Sequence, residues 1–264
     1  MLLKRRRATT SSGLVRFRRR GIRVGEVYFQ DRRPERPGVD LLRVLAVPRT
    51  HAAASPRTSH TAVVDLRSPE DELLAAMSKT TRYEIRRAES KDGVEAQAFD
   101  GPTPELTRSF CDHYDDFAAS KSLAPVFRPR LEAMAAVGQL TLTLASVGGE
   151  PLVWHAYAFG GDRALLLYSA SLFRAHEDVA LRATIGRANR CLHWHDMQHF
   201  KRAGCVEYDF GGIDVTGRDE ATSRIADFKR GFGGVVRPTY AWSTPLTLRG
   251  RLVQAALLAL GVDF

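Results

Sequence analysis

Two periods organise the hydrophobic positions of this chain. Short runs alternate apolar with polar residues or are wholly apolar, as strands do, while longer runs repeat apolar residues every three or four positions, as helices do. The apolar runs Ile22 to Phe29 and Leu41 to Val47 predict two short strands. A loop follows from His51 to His60, and His60 to Leu66 (HTAVVDL) reads as a further strand. Ser68 is a natural N-cap, with Pro69 at the first helical position and Glu70 and Asp71 in the first turn, so one helix is expected from Pro69 to about Lys91. Its stripe of Leu73, Met77, Thr81 or Tyr83, Ile85 and Ala88 faces a core.

Beyond Gly93 the pattern predicts a strand from Val94 to Phe99, helices over Pro104 to Ala119 and Arg128 to Val137, and three strands. These strands, Leu140 to Val147, Pro151 to Phe159 and Arg163 to Ser171, are joined by Gly148-Gly149 and Gly160-Gly161, which suit tight hairpins. Gly186 to Ala203 holds no proline or internal glycine and predicts a helix stopped by Gly204. A strand from Cys205 to Phe210, a turn at Gly211-Gly212, a second helix running into Phe228-Lys229, a strand from Val235 to Ser243 and an apolar terminal helix near Leu252 to Val262 complete the set.

Charge changes the picture only locally. The formal net charge is +9, from 39 Lys and Arg against 30 Asp and Glu. The first 20 residues hold eight of the basic ones (Lys4, Arg5, Arg6, Arg7, Arg16, Arg18, Arg19, Arg20) and no acid, and 39 less eight leaves 31 against 30 in the remainder. Residues 1–20 are therefore expected to form a basic arm, either a solvated tail or a handle for RNA or an anionic lipid surface. Cys111, Cys191 and Cys205, odd in number and scattered, fit neither a disulfide framework nor a zinc spacing. A reducing, cytoplasmic setting is expected, since Met1-Leu2-Leu3 is too short for a signal core and no run approaches the roughly 20 apolar residues that span a bilayer. The terminal helix is expected to dock on the core, with peripheral membrane contact as its alternative.

The segment Tyr208 to Ile213 (YDFGGI), followed by Phe228 to Gly234 (FKRGFGG), resembles the C-terminal half of the FemABX-type aminoacyltransferases, which are built on the GNAT acyltransferase fold. Lys79 to Glu89 (KTTRYEIRRAE) resembles a run that precedes the acyltransferase core in that family. The element order of strand, two helices, three-stranded meander, helix, strand, helix, strand is that of a GNAT domain. The expectation is an α/β (α+β) protein with a mixed, mostly antiparallel sheet flanked by helices. Its parts are a strand-rich extension over residues 21–66, a GNAT/FemABX-like domain over 67–244 and a terminal helix over 245–264. The resemblance implies an aminoacyl-tRNA donor, a peptide-like acceptor such as a cell-wall precursor or a peptide natural product, and no bound cofactor or metal.

Candidate chemistry falls around the central unit. The resemblance places Phe228-Lys229 at the acyl-donor end of the site, where an ammonium can stabilise a tetrahedral oxyanion; a surface lysine in a last helical turn is the alternative. His155 is a candidate to take a proton from an amine, and Asp209 is a third catalytic candidate. His155 and Tyr157 share one strand face, as do Tyr208 and Phe210 on another, with Tyr168, Ser169, Ser171 and Gly211 at neighbouring strand ends. Arg82, Arg86, Lys79 and Arg87 can grip phosphate or pair with Glu84 and Glu89, and Tyr83 lies among them. Arg182, Arg187, Asn189 and Arg190 surround the helix start expected at Gly186, a place for a nucleic-acid phosphate. An acetyl-CoA enzyme of this fold uses Arg/Gln-x-x-Gly-x-Gly/Ala there; Arg182 to Ala188 is one residue too long, so a CoA-dependent N-acyltransferase is the alternative donor reading. A third reading is a non-catalytic module that binds RNA or a membrane surface. His195 and His199 have zinc-helix spacing, but Asp196 replaces the usual Glu and no third ligand follows, so no metal is expected. No G-x-S-x-G elbow accompanies Ser169 or Ser171, which leaves covalent catalysis without support.

Overall fold

The computed structural model describes residues 13–30, 34, 37–49, 56–171, 178–217 and 220–261. Its strands are β1 (Val15–Arg19), β2 (Ile22–Tyr28), β3 (Leu41–Val47), β4 (Arg57–Asp65), β5 (Val94–Asp100), β6 (Leu140–Val147), β7 (Glu150–Gly160), β8 (Arg163–Ser171), β9 (Glu207–Gly212) and β10 (Val235–Pro245). The helices are α1 (Glu70–Ala76), α2 (Lys79–Ser90), α3 (Pro104–Ser120), α4 (Arg128–Ala136), α5 (Val179–Arg202), α6 (Glu220–Arg230) and α7 (Leu248–Ala259). All strands join one ten-stranded sheet in the order β1-β2-β3-β10-β4-β9-β8-β7-β6-β5. Only β2 with β3 and β8 with β9 run parallel, and α5 makes the crossover between the second pair.

Alternation along the strands divides the core in two. One face carries Ala62, Val64, Tyr157, Tyr208 and Phe210, covered by Leu73 and Ile85 of α1 and α2, Trp194, Met197 and Phe200 of α5 and Ala226 of α6. The other carries Leu142, Trp154 and Ala156 under Phe110 of α3 and Leu131 and Met134 of α4. The mixed, mostly antiparallel sheet with helices on both faces is the expected fold class.

Several boundaries differ from expectation, each for a local reason. Val15–Arg19 is not part of a free arm: Val15 and Phe17 are buried while Arg16 and Arg18 face outward, the alternation of a half-buried strand. Lys4 to Arg7 lie outside the described residues, as do His51 to Ser55 of the expected loop. The single helix expected from Pro69 is two helices, because Met77 is extended (ψ 153°) and Ser78 starts afresh as an N-cap accepting from Thr81 N at 3.1 Å. The helix expected from Gly186 begins at Val179, where Asp178 caps it. The terminal helix runs from Leu248 to Ala259, and only Gly250 and Leu257 of it are buried. Core docking therefore describes one edge of that helix.

The extension is stitched into the sheet by the last strand, since β10 lies between β3 and β4. Buried Glu26 on β2 reinforces this through Arg43 (2.6 Å) and Arg130 of α4 (2.7 Å). Burial opposes its charge, but the two guanidiniums prevail and hold the carboxyl below the usual range.

Candidate active site

The site forms where the sheet opens. β8 and β9 pair only from Arg163/Glu207 to Leu165/Asp209, after which β8 runs on to Ser171 and β9 ends at Gly212. An extra residue at Leu167, between the pairs Tyr157/Leu166 and Ala156/Tyr168, adds a bulge and turns β8 at this point. Gly211 makes the parting of the strands feasible: its φ is +71°, and a Cβ there would lie 2.8 Å from the carbonyl oxygen of Leu166. Between the strands lies a cleft of about 590 Å³. β8 contributes Leu166, Leu167, Ser169 and Ser171, β9 contributes Phe210 to Gly212, and α5 contributes Asn189 and His193. Phe228 and Lys229 of α6 form a third wall, and Phe117 and Lys121 of α3 line the mouth.

Lys229 comes from the last turn of α6, and its Nζ donates to the carbonyls of Gly212 and, at 3.5 Å, Gly211. An ammonium has three donors, so one remains for the cleft. Burial lowers its pKa, against the opposing pull of Asp209. Phe228 packs on His193 with ring centroids 5.5 Å apart, and the Arg190 guanidinium lies 4.9 Å from the Phe228 ring centroid as a cation–π partner.

Behind the cleft wall runs a chain of buried hydroxyls. Tyr157 OH donates to Asp196 Oδ2 (2.5 Å) and lies 2.6 Å from Tyr208 OH, which lies 2.6 Å from His193 Nδ1. A carboxylate only accepts, so it fixes the direction of the chain: Tyr208 donates to Tyr157, and His193 Nδ1–H donates to Tyr208. That tautomer leaves His193 Nε2 with a lone pair, and among the described residues Nε2 has no hydrogen-bond partner. Burial, then His155, Lys229 and Arg190, pull the His193 pKa well down, so the ring is neutral. Burial likewise pushes Tyr157 and Tyr208 well up, so both keep their protons.

The structure separates the remaining candidates. Ser169, Ser171, Asn189, Phe210, Gly211, Phe228 and Lys229 meet at the cleft. His155 does not: it is fully buried, with Nδ1 2.8 Å from Asp196 Oδ2 and Nε2 2.9 Å from Asn189 Oδ1, and it touches the cleft lining through Asn189 and through the His193 ring, whose centroid is 4.2 Å away. Asp209 points to the opposite sheet face, where it accepts from Arg163 (2.5 Å), Thr61 and Gly211 N (2.8 Å), so it fastens β9 to β8 and β4. Tyr208 is buried within the hydroxyl chain, and Tyr168 packs on Tyr114 with centroids 4.8 Å apart. Arg82 caps the carboxyl end of α1 through the carbonyls of Ala75 (2.9 Å) and Met77 (2.7 Å). Tyr83 is exposed and accepts from Arg87, and Arg86 is exposed on the same helix. Arg187 binds Asp92, and Arg190 binds Glu84 at 2.8 Å. Arg182 sits half-buried in the first turn of α5.

Gly186 is mid-helix, its carbonyl accepting from Arg190, so no anion-binding helix start exists there. The true start is closed by Asp178, whose carboxylate accepts from Ala180 N (2.7 Å) and Leu181 N (3.3 Å). His155, His193 and Asp196 each place a ligand atom within 4.8 Å of the others, close enough to share a cation; here the three are tied to one another through the hydroxyl chain. All three cysteines are buried, and burial pushes the Cys191 and Cys205 thiols up to about 12, far from a reactive thiolate.

A family model described as an acetyltransferase (GNAT) domain matches residues 75–230, more than half of the chain and every residue that lines the cleft. The chain belongs to the GNAT family. Among solved structures, FemX is similar at 15% identity with a TM-score of 0.56, over 74% of this chain and 63% of that one, so this GNAT protein spans somewhat less than two thirds of that FemX chain. The C-terminal domain of a putative lysylphosphatidylglycerol synthetase from Agrobacterium fabrum is similar at 15% identity with a TM-score of 0.53, over 83% of this chain and 72% of that one. At such identities the likeness is one of fold, and that fold is the FemABX type. No curated protein matches the GNAT chain by sequence. Membership carries acyl transfer as the chemistry of the fold. Sequence alone does not point to His193, nor to the roles of Asp196 and Tyr157 in the hydroxyl chain: Asp196 figures there only in the zinc-helix spacing and Tyr157 only as sharing a strand face with His155. Their one signal was the density of polar residues in CLHWHDMQH, on a helix that otherwise faces the core.

Proposed function

We propose that the GNAT domain transfers an aminoacyl group from the ester of an aminoacyl-tRNA to the amine of a peptide-like acceptor, forming an amide. The amine nitrogen attacks the ester carbonyl carbon in the cleft between β8 and β9. Charge develops on the carbonyl oxygen, where the remaining Lys229 donor stabilises it. The nitrogen gives its proton to His193 Nε2, and collapse of the intermediate breaks the ester C–O bond. His193 then returns that proton to the departing ribose oxygen, so no net proton is consumed. The chain from His193 through Tyr208 and Tyr157 to Asp196 holds the required tautomer and stabilises the transient imidazolium, as an orienting group does for a catalytic histidine.

The observation that carries this reading is the convergence of Lys229 and His193 on one cleft at the point where the sheet parts. The tRNA donor is favoured over acetyl-CoA by Asp178. The amides that a pyrophosphate would use at the start of α5 are occupied by a side chain of the same charge sign as the phosphate. The FemX likeness agrees with it at the level of fold. The test is a donor exchange: purified protein, a small-molecule amine extract, and either a pool of radiolabelled aminoacyl-tRNA or radiolabelled acetyl-CoA. Label is expected in amide product from the tRNA pool alone. Transfer from acetyl-CoA alone would replace the proposed donor.

A further inference from the structure

Helix α7 has its polarity turned inside out. On a helix packed against a sheet the apolar stripe faces inward, whereas here the inward positions are Gly250 and Leu257, with Val253 and Gln254 half-buried beside them. The outward face is apolar. Leu248, Leu252, Ala255 and Ala259 follow one another at four- and three-residue spacing, all exposed, with Leu248 at 71% and Leu252 at 63%. Leu258 (75%) and Leu260 (73%) extend the surface at the far end. An exposed leucine alone is ordinary, but Leu248, Leu252 and Leu258 on one short helix, with Leu260 just past its end, form a patch that needs a partner.

The charge beside the patch identifies the partner. Arg249 and Arg251 flank the leucine line on either side in the first turn, both exposed, and no acidic residue lies between Pro245 and Gly261. Next to that turn is a second cavity of about 520 Å³, lined by Arg18, Arg23 and Arg249 together with Gly21, Asp40, Thr247 and Leu248. Asp40 is already committed to Arg23 (3.2 Å) and Thr247 (3.0 Å), which leaves Arg18 and Arg249 as the cationic rim. A second copy of the chain would set these arginines against their own images, an unfavourable juxtaposition. An anionic phospholipid surface fits both features: acyl chains against the leucines, and a phosphate headgroup at the arginine rim.

We propose that α7 and the arginine-lined cavity at its start form a membrane-docking surface that seats the protein on anionic phospholipid. The helix lies in the interface and does not cross it; no helix among the described residues is long and apolar enough to span a bilayer. The inference is independent of the donor chemistry, because the patch lies on β1, β2 and α7 and shares no lining residue with the cleft.

Vesicle co-sedimentation with the full chain tests it, using phosphatidylcholine vesicles with and without phosphatidylglycerol. The wild type is expected to sediment with the phosphatidylglycerol vesicles, less so at high salt, and little with phosphatidylcholine alone. Leu248→Ser with Leu252→Ser is expected to weaken this at least tenfold, and each of Arg249→Gln and Arg251→Gln about fivefold, the equivalent of about 1 kcal/mol per basic residue. All four positions are exposed, so melting temperature and amide formation with a water-soluble acceptor should match the wild type. Failure of the wild type to bind, or binding unaffected by the leucine changes, would overturn the proposal. So would a concentration-dependent dimer in sedimentation equilibrium that the leucine changes abolish, since the face would then be a protein interface. Loss of transfer in every protein with vesicle binding intact would refute the reaction and leave the docking surface standing.

Discussion

In the proposed transfer, the roles of Lys229 and His193 follow from their surroundings. Lys229 spends two donors on the carbonyls of Gly211 and Gly212, which holds the third in place without reorganisation. Replacing Lys229 with Met is expected to lower turnover by about 10² to 10³ with little change in melting temperature, and Arg to restore it only in part, because a planar fork does not reproduce a compact ammonium. Steady-state kinetics beside thermal unfolding checks both. For His193, the lowered pKa places the acid limb of turnover below the ordinary histidine value of about 6.5, and His193→Gln is expected to lose about 10² to 10⁴ in rate together with that limb. The same depression has a stability sign. A histidine kept neutral in the fold and protonated more readily when unfolded contributes stability above about pH 6.5 that is lost as pH falls below it, by at most about 1.4 kcal/mol per pH unit. His113 and His195 are also lowered by burial, so urea midpoints from pH 7.5 downward should fall in the wild type and fall less steeply in His193→Gln.

At the level of elements, the sequence was legible wherever one period held and misleading where polar chemistry interrupted it. The meander β6–β7–β8 was readable because its strands are long and apolar with glycine turns between them. The α1–α2 break was hidden because Leu73, Met77, Ile85 and Ala88 keep helical spacing across it. Only Ser78, three residues before Thr81, marked a new start. The break also explains the two resembling motifs: Ser78 N donates to Gly231 O at 2.9 Å, and a Cβ on Gly233 (φ +80°) would lie 3.0 Å from Ala76 Cβ, so KTTRYEIRRAE and FKRGFGG are neighbours in space. The start of α5 was misplaced for a comparable reason. Gly186 looked like a boundary, yet a glycine is tolerated mid-helix at a cost of about 1 kcal/mol, and Asp178 supplied the actual cap. His193 stayed unread because a histidine on a buried helix face carries no signal until its partners on β7 and β9 are known. One outcome belongs to this scale. Titrating acetyl-CoA into the protein by calorimetry should give no low-micromolar binding, and Asp178→Asn, which keeps the cap but removes the charge, should bind CoA more strongly than the wild type.

For the molecule as a whole, the N-terminal strands and the acyltransferase core behave as one sheet. Their basic residues suggested a loose arm, but β10 lies between β3 and β4, and Glu26, Arg43, Arg130 and Tyr28 tie β2 to α4 through a buried ionic cluster. Arg130→Met removes one of the two guanidiniums on buried Glu26 and leaves Arg43 paired with it, so the loss of that charge-assisted hydrogen bond is expected to cost about 1.5 to 3 kcal/mol. Tryptophan fluorescence and far-ultraviolet circular dichroism should report a single coincident urea transition for the full chain; two separated transitions would make the extension a unit of its own. The central claim for the molecule is acyl transfer in the cleft between β8 and β9. Its most direct measurement is single-turnover amide formation from radiolabelled aminoacyl-tRNA and an amine extract, with wild-type and Lys229→Met protein at equal concentration. The wild type should form amide at least about 10² times faster than the Met variant, as loss of an oxyanion donor requires. A Met variant within about threefold of the wild type, a difference under 1 kcal/mol, would contradict it.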